Sequence, residues 1–156
     1  MRLRTFYVKN YRSITKASLE DIRKYCVIVG PNNAGKSNLL KALIVALSLA
    51  LEGNFQTAIR NRRYSYIYEG ENYDWNRDIP KKLVDNENAS TIFKLTFEFS
   101  EEEKAEFKKE LGINLTKSLQ MQFVISKSNT EYNIIMPGRA KNQWKLRCVN
   151  SIIYSK

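Results

Sequence analysis

Polar and apolar positions alternate at Thr91–Phe99, Leu119–Ser126 and Tyr132–Met136, and this period of two predicts three half-buried strands. Arg2–Val8, rich in Phe, Tyr, Val and Thr, reads as another strand, and after a turn at Asn10–Ser13 the segment Ile14–Leu19 is placed to pair back on it. Lys24–Val29 differs, being a short continuous apolar run of the kind found in strands buried on both faces. Cys26 lies within that run and is expected to be a buried, reduced thiol of a cytosolic protein.

Helical spacing appears from Ser37 to about Glu52, where Leu39, Leu40, Leu43, Ile44, Leu47 and Leu51 recur at three- and four-residue intervals. Ala42, Ala46 and Ala50 fill much of the remainder, so a mostly buried helix is expected, with Gly53-Asn54 as its stop signal. A second helix should start at the capping box Ser100-Glu-Glu-Glu103 and run to Leu111, with Gly112 placed to end it. Residues 55–89 are the least regular part, and Pro137-Gly138 marks a turn after the last alternating strand. A final apolar run, Ser151–Tyr154, meets the chain end without a following element, as in a truncated domain.

The 156 residues suffice for one domain with a hydrophobic core. The longest apolar stretch, Leu39–Leu51, contains Lys41 and is too short to span a bilayer, and the N-terminus has no secretory pattern, so a cytoplasmic protein without membrane contact is expected. With 26 Lys and Arg against 16 Asp and Glu, the net charge of +10 either favours polyanions, nucleic acid and nucleotides among them, or is balanced by an acidic portion elsewhere in the intact protein. The absence of histidine excludes histidine metal sites and Ser-His or Cys-His nucleophiles within this chain.

Chemistry concentrates between the apolar run and the first helix. Gly30-Pro-Asn32-Asn33-Ala34-Gly35-Lys36-Ser37 matches the phosphate-loop pattern G-x-x-x-x-G-K-[ST] at every fixed position. Gly30 and Gly35 are expected to let the backbone curl so that successive amides point at a phosphate. Lys36 then reaches the β- and γ-phosphates, the Ser37 hydroxyl binds Mg²⁺, and the helix that begins there adds its positive end. Hydrolysis also needs an acidic residue at the end of a second apolar strand. Leu83-Val84-Asp85 is the nearest approach, but its Asn-rich surroundings make it a loop; no catalytic base is assignable. Glu101–Glu103 reads as a helix start rather than a metal site.

Phe6-Tyr-Val-Lys-Asn10-Tyr11-Arg12-Ser13-Ile14, followed by Gly30-Pro-Asn-Asn-Ala-Gly-Lys-Ser-Asn38-Leu39-Leu40, resembles the SMC/RecF-like branch of ABC-type ATPases. Within that branch it is most similar to the overcoming-lysogenization-defect (OLD) family and related antiphage-defence ATPases, and Thr91–Glu103 resembles the same first lobe. The resemblance implies an α/β P-loop NTPase fold, with mixed and antiparallel strands around a buried phosphate-loop helix and an irregular insertion at about 55–89. It implies Mg²⁺-ATP as cofactor and ATP sandwiched between the heads of a homodimer. It also places Asn38 and the Asn10–Ser13 turn near the nucleotide, with Arg12 at the α-phosphate or base; as a residue alone, Arg12 reads equally as a solvated turn. The Ser-Gly signature, the strand ending in Asp-Glu and the switch histidine of this branch are missing, so residues 1–156 resemble an N-terminal lobe only. None of Gln120, Gln122 and Gln143 is assignable as the glutamine that links Mg²⁺ to the partner.

Arg60, Arg62, Arg63 and Tyr64 open a stretch to Tyr68 that interleaves arginines with tyrosines. Tyrosines can stack on bases while arginines meet phosphates, which makes it the best DNA-contact candidate; alternating tyrosines equally suit one packed face of a strand. The expected function is therefore the ATP-binding part of an ATPase coupled to DNA processing or antiphage defence. The alternative is a nucleic-acid binding module that keeps the phosphate loop only as structure.

Overall fold

The computed structural model describes residues 1–51, 73–111, 114–115, 118–128 and 130–135. In chain order these form β1 (Arg2–Tyr11), β2 (Ile14–Leu19), α1 (Lys36–Leu51), the single-turn helix α2 (Trp75–Asp78), a 3₁₀ turn at Lys81–Leu83, β3 (Thr91–Glu98), α3 (Glu101–Leu111), β4 (Leu119–Ile125) and β5 (Thr130–Ile135).

The strands make one five-stranded sheet in the order β2-β1-β3-β4-β5. Every pairing is antiparallel, so the mixed sheet expected from sequence is not formed among the described residues. Alternation does its predicted work in β3 and β4, where Thr91, Phe93, Leu95 and Phe97 and then Leu119, Met121, Phe123 and Ile125 are buried. Registry brings Phe93 opposite Phe123 and Leu95 opposite Met121 on the same face. α1 lies across that face and inserts Ala42, Val45, Ala46, Leu49 and Ala50, a one-sided stripe at helical spacing. Its other side leaves Leu40 and Ile44 exposed, so the helix is amphipathic in its setting rather than mostly buried.

β1 is longer than predicted, because Asn10 and Tyr11 extend the strand and only Arg12-Ser13 form the turn to β2. Strict alternation would not place Leu3, Phe6, Val8 and Tyr11 on one face, yet all four meet the core. Two breaks reconcile them. A bulge between Leu3 and Thr5 shifts the register against β3, and Asn10 adopts a left-handed φ of 57°. Asparagine tolerates that region, and its side chain is used as well: Nδ2 donates to the Ser90 carbonyl at 3.0 Å.

Of the stretch 55–89 read as irregular, residues 55–72 lie outside the described residues, and 73–89 pack against the sheet through two short helical turns and their connections. Asp74 caps α2 by accepting the Arg77 amide at 3.0 Å, and the Ile79-Pro80 step ends it. Ile79 and Ala89 are buried, and Trp75 donates its indole N–H to the Val84 carbonyl at 3.1 Å. The predicted capping box at α3 is formed, with the Ser100 amide donating to Glu103 at 2.9 Å and the Glu103 amide to the Ser100 hydroxyl at 3.3 Å. Phe107 of α3 is buried against Phe99, their ring centroids 5.7 Å apart.

The largest departure is Lys24–Val29, which forms no strand. Tyr25, Val27 and Val29 are 82–85% exposed, and Cys26 is an exposed free thiol rather than a buried one. A run apolar on both faces needs a neighbour on each side, and the sheet of described residues ends at β2 without reaching it. The candidate ends at Gly53-Asn54, Gly112, Pro137-Gly138 and Ser151–Tyr154, together with Gln143, lie outside the described residues.

Phe93 is fully buried at the centre of an aromatic cluster, with centroids 6.4 Å from Phe6, 5.7 Å from Tyr11 and 6.4 Å from Tyr73. Phe93→Ala should therefore lower unfolding free energy by about 3–5 kcal/mol in denaturant titration; a loss below about 1 kcal/mol would mean the cluster collapses around the gap without cost.

Candidate phosphate-binding site

The loop Gly30–Gly35 leads into the first turn of α1 at Lys36. Asn33 (φ 65°) and Gly35 (φ 82°) both take left-handed backbone, a combination that turns successive amides toward one concavity. The Ala34 amide closes a turn onto the Pro31 carbonyl at 3.3 Å, and the Leu39 amide begins the helix on the Gly35 carbonyl at 2.9 Å. The first turn of α1 carries no acidic residue, so its positive end is not neutralised from within. Lys36 curls over the loop, its Nζ donating to the carbonyls of Gly30 at 2.7 Å and Pro31 at 2.5 Å. Ser37 is exposed in the same turn, beside Asn38.

The two glycines are not equivalent. Gly35 is favoured by its left-handed backbone, and a Cβ there would come into ordinary contact with the Ser13 hydroxyl at 3.4 Å. Gly30 has no left-handed φ, and a Cβ would meet only Lys36 Cδ at 3.8 Å and Ala34 Cβ at 4.0 Å. The expectation that both glycines relieve forbidden backbone angles thus holds for Gly35 alone.

Behind the loop stands the β1–β2 turn. Ser13 accepts a hydrogen bond from Asn38 Nδ2 at 2.8 Å, which ties the turn to the start of α1. Arg12 occupies the left-handed region (φ 49°), a conformation that costs a non-glycine residue about 1–2 kcal/mol. It is not a solvated turn residue: its side chain is 17% exposed and its Nε donates to Asp78 Oδ1 at 2.7 Å. Asp78 also accepts two bonds from Arg77, at 3.0 and 2.7 Å, and the Asp74 amide at 2.9 Å. Sequence reasoning passed over Asp78, because a pair 66 residues apart leaves no local pattern. The Asp74-to-Pro80 cap-and-stop signal was the one available clue to its helix.

A second network closes the same end of the sheet. The Thr91 hydroxyl donates to the Asn10 carbonyl at 2.6 Å, so the Tyr73 phenol, 2.6 Å away, is the donor to Thr91. Burial pushes the Tyr73 phenol well above its usual range, and it stays protonated as that role requires.

Among the described residues no group of three or more His, Cys, Asp or Glu is arranged to hold a metal. Leu83 ends the 3₁₀ turn and Asp85 follows in a turn, which agrees with rejecting that segment as an acidic strand end. Gln120 and Gln122 lie in β4, and Gln120 Nε2 reaches only Thr96 Oγ1, at 3.4 Å. Arg60, Arg62, Arg63 and Tyr64 lie outside the described residues. No helix among the described residues is long and apolar enough to cross a membrane.

Comparison with known proteins gives this arrangement its class. The chain belongs to the AAA ATPase domain family, which it matches over residues 1–153. It is 28% identical to the DNA replication and repair protein RecF of Psychromonas ingrahamii over 148 residues, 92% of this chain and 37% of that protein. It is also 35% identical, over 68 residues, to an uncharacterised protein of Methanocaldococcus jannaschii, a match covering 44% of this chain and 30% of that protein. The chain therefore spans only about a third of the length of each of these curated relatives, 30% of one and 37% of the other.

Asp78 makes the acid response of the fold predictable. Burial pushes its carboxyl up, and hydrogen bonds from Arg77, the Asp74 amide and Arg12 outweigh it, leaving the pKa below the ordinary carboxylate value. A group more acidic when folded contributes stability above its unfolded pKa and loses it as pH falls through the folded one. Asp78→Asn should thus cost about 2–3 kcal/mol at neutral pH, discounted for the partly exposed arginines, with the difference from wild type shrinking below about pH 4. Denaturant titrations across pH check this. A difference that stays constant down to about pH 2 would show that the charge of Asp78 contributes nothing.

Proposed function

We propose that this chain is the ATP-binding part of an ATPase, and that Gly30–Asn38 holds the phosphates of Mg²⁺-ATP. The observation that carries this reading is the geometry of one loop. Left-handed Asn33 and Gly35 lead into the unneutralised N-terminus of α1, and the Lys36 amine lies across the loop's own carbonyls. Those residues fit a polyphosphate: loop amides around Asn33 and Gly35 donate, Lys36 exchanges carbonyl partners for β- and γ-phosphate oxygens, and the Ser37 hydroxyl is the ligand for Mg²⁺. The ion, when bound, neutralises charge between the phosphates. Asn38 adjoins the same loop and binds Ser13, whose neighbour Arg12 is held by Asp78. The carboxylate that hydrolysis needs comes from outside the described residues.

Two features support a finer reading, in which residues 1–156 are the first lobe of a dimeric ATPase head working on DNA. One is the likeness to a RecF protein, whose name states DNA replication and repair. The other is the loop form Gly-x-Asn-x-x-Gly-Lys-Ser-Asn, which favours the OLD and antiphage-defence branch. The net charge of +10 supports contact with a polyanion and keeps DNA as a candidate partner.

Calorimetric titration of the chain with Mg²⁺-ATP should show saturable binding that Lys36→Ala weakens by about 10–100-fold, the loss expected for a charge-assisted contact. Equal binding by wild type and Lys36→Ala would reject the phosphate loop as the site. DNA binding that is steep in salt and indifferent to Lys36→Ala, with no ATP binding, would favour the nucleic-acid module instead.

A further inference from the structure

Among the described residues Asp78 is the one charged side chain that is buried, at 0% exposure. Burying a carboxylate is unfavourable unless its oxygens are matched, and both are. Oδ1 accepts Arg12 Nε at 2.7 Å and Arg77 Nε at 3.0 Å; Oδ2 accepts Arg77 Nη2 at 2.7 Å and the Asp74 amide at 2.9 Å. The backbone carbonyl of the same residue accepts the Arg12 amide at 2.6 Å. One residue therefore fixes both the main chain and the side chain of Arg12, at a position where the backbone is left-handed. Ser13 follows directly, and its hydroxyl both accepts from Asn38 and stands against the Cα of Gly35, where any Cβ would reach it at 3.4 Å. A single residue, Ser13, thus separates the buried ion pair from the glycine that shapes the phosphate loop.

We infer that Asp78 is a positioning residue for the phosphate loop: it fixes the Arg12-Ser13 turn against which Gly35 and the first turn of α1 are set. A buried, fully matched ionic group has few alternative arrangements, so it holds one turn geometry where exposed charges would allow several. Arg77 has a different part. Its guanidinium is 47% exposed and supplies two of the four bonds to the carboxylate, so it balances the charge. The effect on affinity rests on the reading of Gly30–Asn38 as a nucleotide site; the effect on loop geometry does not.

The test therefore has a readout without nucleotide. Amide resonances of Gly35, Lys36 and Ser37 are recorded on the isotope-labelled chain as wild type, Asp78→Asn, Arg77→Ala, Ser13→Ala and the Ser13→Ala/Asp78→Asn double variant. Mg²⁺-ATP affinity is measured on each. Asp78→Asn should move all three amides and weaken Mg²⁺-ATP by about tenfold, the size of a typical coupling between sites. Arg77→Ala, which keeps the Arg12 contacts to Asp78, should move the three amides and the affinity less than Asp78→Asn does. Once Ser13→Ala has cut the link to Asn38, adding Asp78→Asn should weaken ATP little further, whereas a general loss of stability would add in full. Asp78→Glu, which keeps the charge but displaces it, serves if Asp78→Asn does not fold, and should move the same amides. Amides of Gly35–Ser37 that stay in place while those of Arg12 and Asp74–Asp78 move would overturn the inference. Moved amides in a chain whose wild type binds no ATP would uphold the positioning role and defeat the nucleotide reading alone.

Discussion

β1 is hydrogen-bonded to β3 along one edge and to β2 along the other, and α1 covers its apolar face. Everything near the phosphate loop follows from how that strand ends. Its inner positions must meet α1, yet its last residues must deliver a tight turn to the start of the same helix. The bulge at Leu3–Thr5 and the left-handed Asn10 satisfy both demands, by re-phasing the alternation so that Phe6, Val8 and Tyr11 all face inward. Each break is held by its neighbours: Asn10 by Ser90 and Thr91, and Arg12 by Asp78. A strand with unbroken alternation would carry Tyr11 to the opposite face and move the turn away from Gly35.

Residues 73–89 tie this end of the sheet from outside. The Tyr73 phenol donates to Thr91, which donates to Asn10, while Asp78 binds Arg12 one residue beyond Tyr11. Two hydrogen-bond networks, one neutral and one ionic, thus converge on the last three residues before Ser13. The outer pairs that join β1 to Glu98 through Arg2 and Arg4 are half-exposed and add little beside them.

Features encoded locally were legible in the sequence. Alternation gave β3 and β4 to within a residue or two, Ser100 and Glu103 gave the start of α3, and the spacing of Gly30, Gly35, Lys36 and Ser37 gave the loop and the helix that follows it. What failed needed partners distant in sequence. Lys24–Val29 has the composition of a strand but no neighbouring strand among the described residues, and Cys26 is exposed with it. Asp78 reads as an ordinary loop aspartate until β1 brings Arg12 to it across 66 positions. Gly30, fixed in the motif, has no steric need of glycine in this arrangement; its Cα faces the stem of Lys36, and contact with a ligand is a separate constraint.

The account stands on the claim that the loop before α1 grips polyphosphate, with Lys36 leaving the carbonyls of Gly30 and Pro31 to do so. The most direct measurement is a titration of the isotope-labelled chain with Mg²⁺-ATP, following individual amides. The account predicts saturable shifts that are largest at Asn33 to Ser37 and that vanish in Lys36→Ala. Shifts that spare Asn33–Ser37 while appearing elsewhere on the basic surface would contradict it.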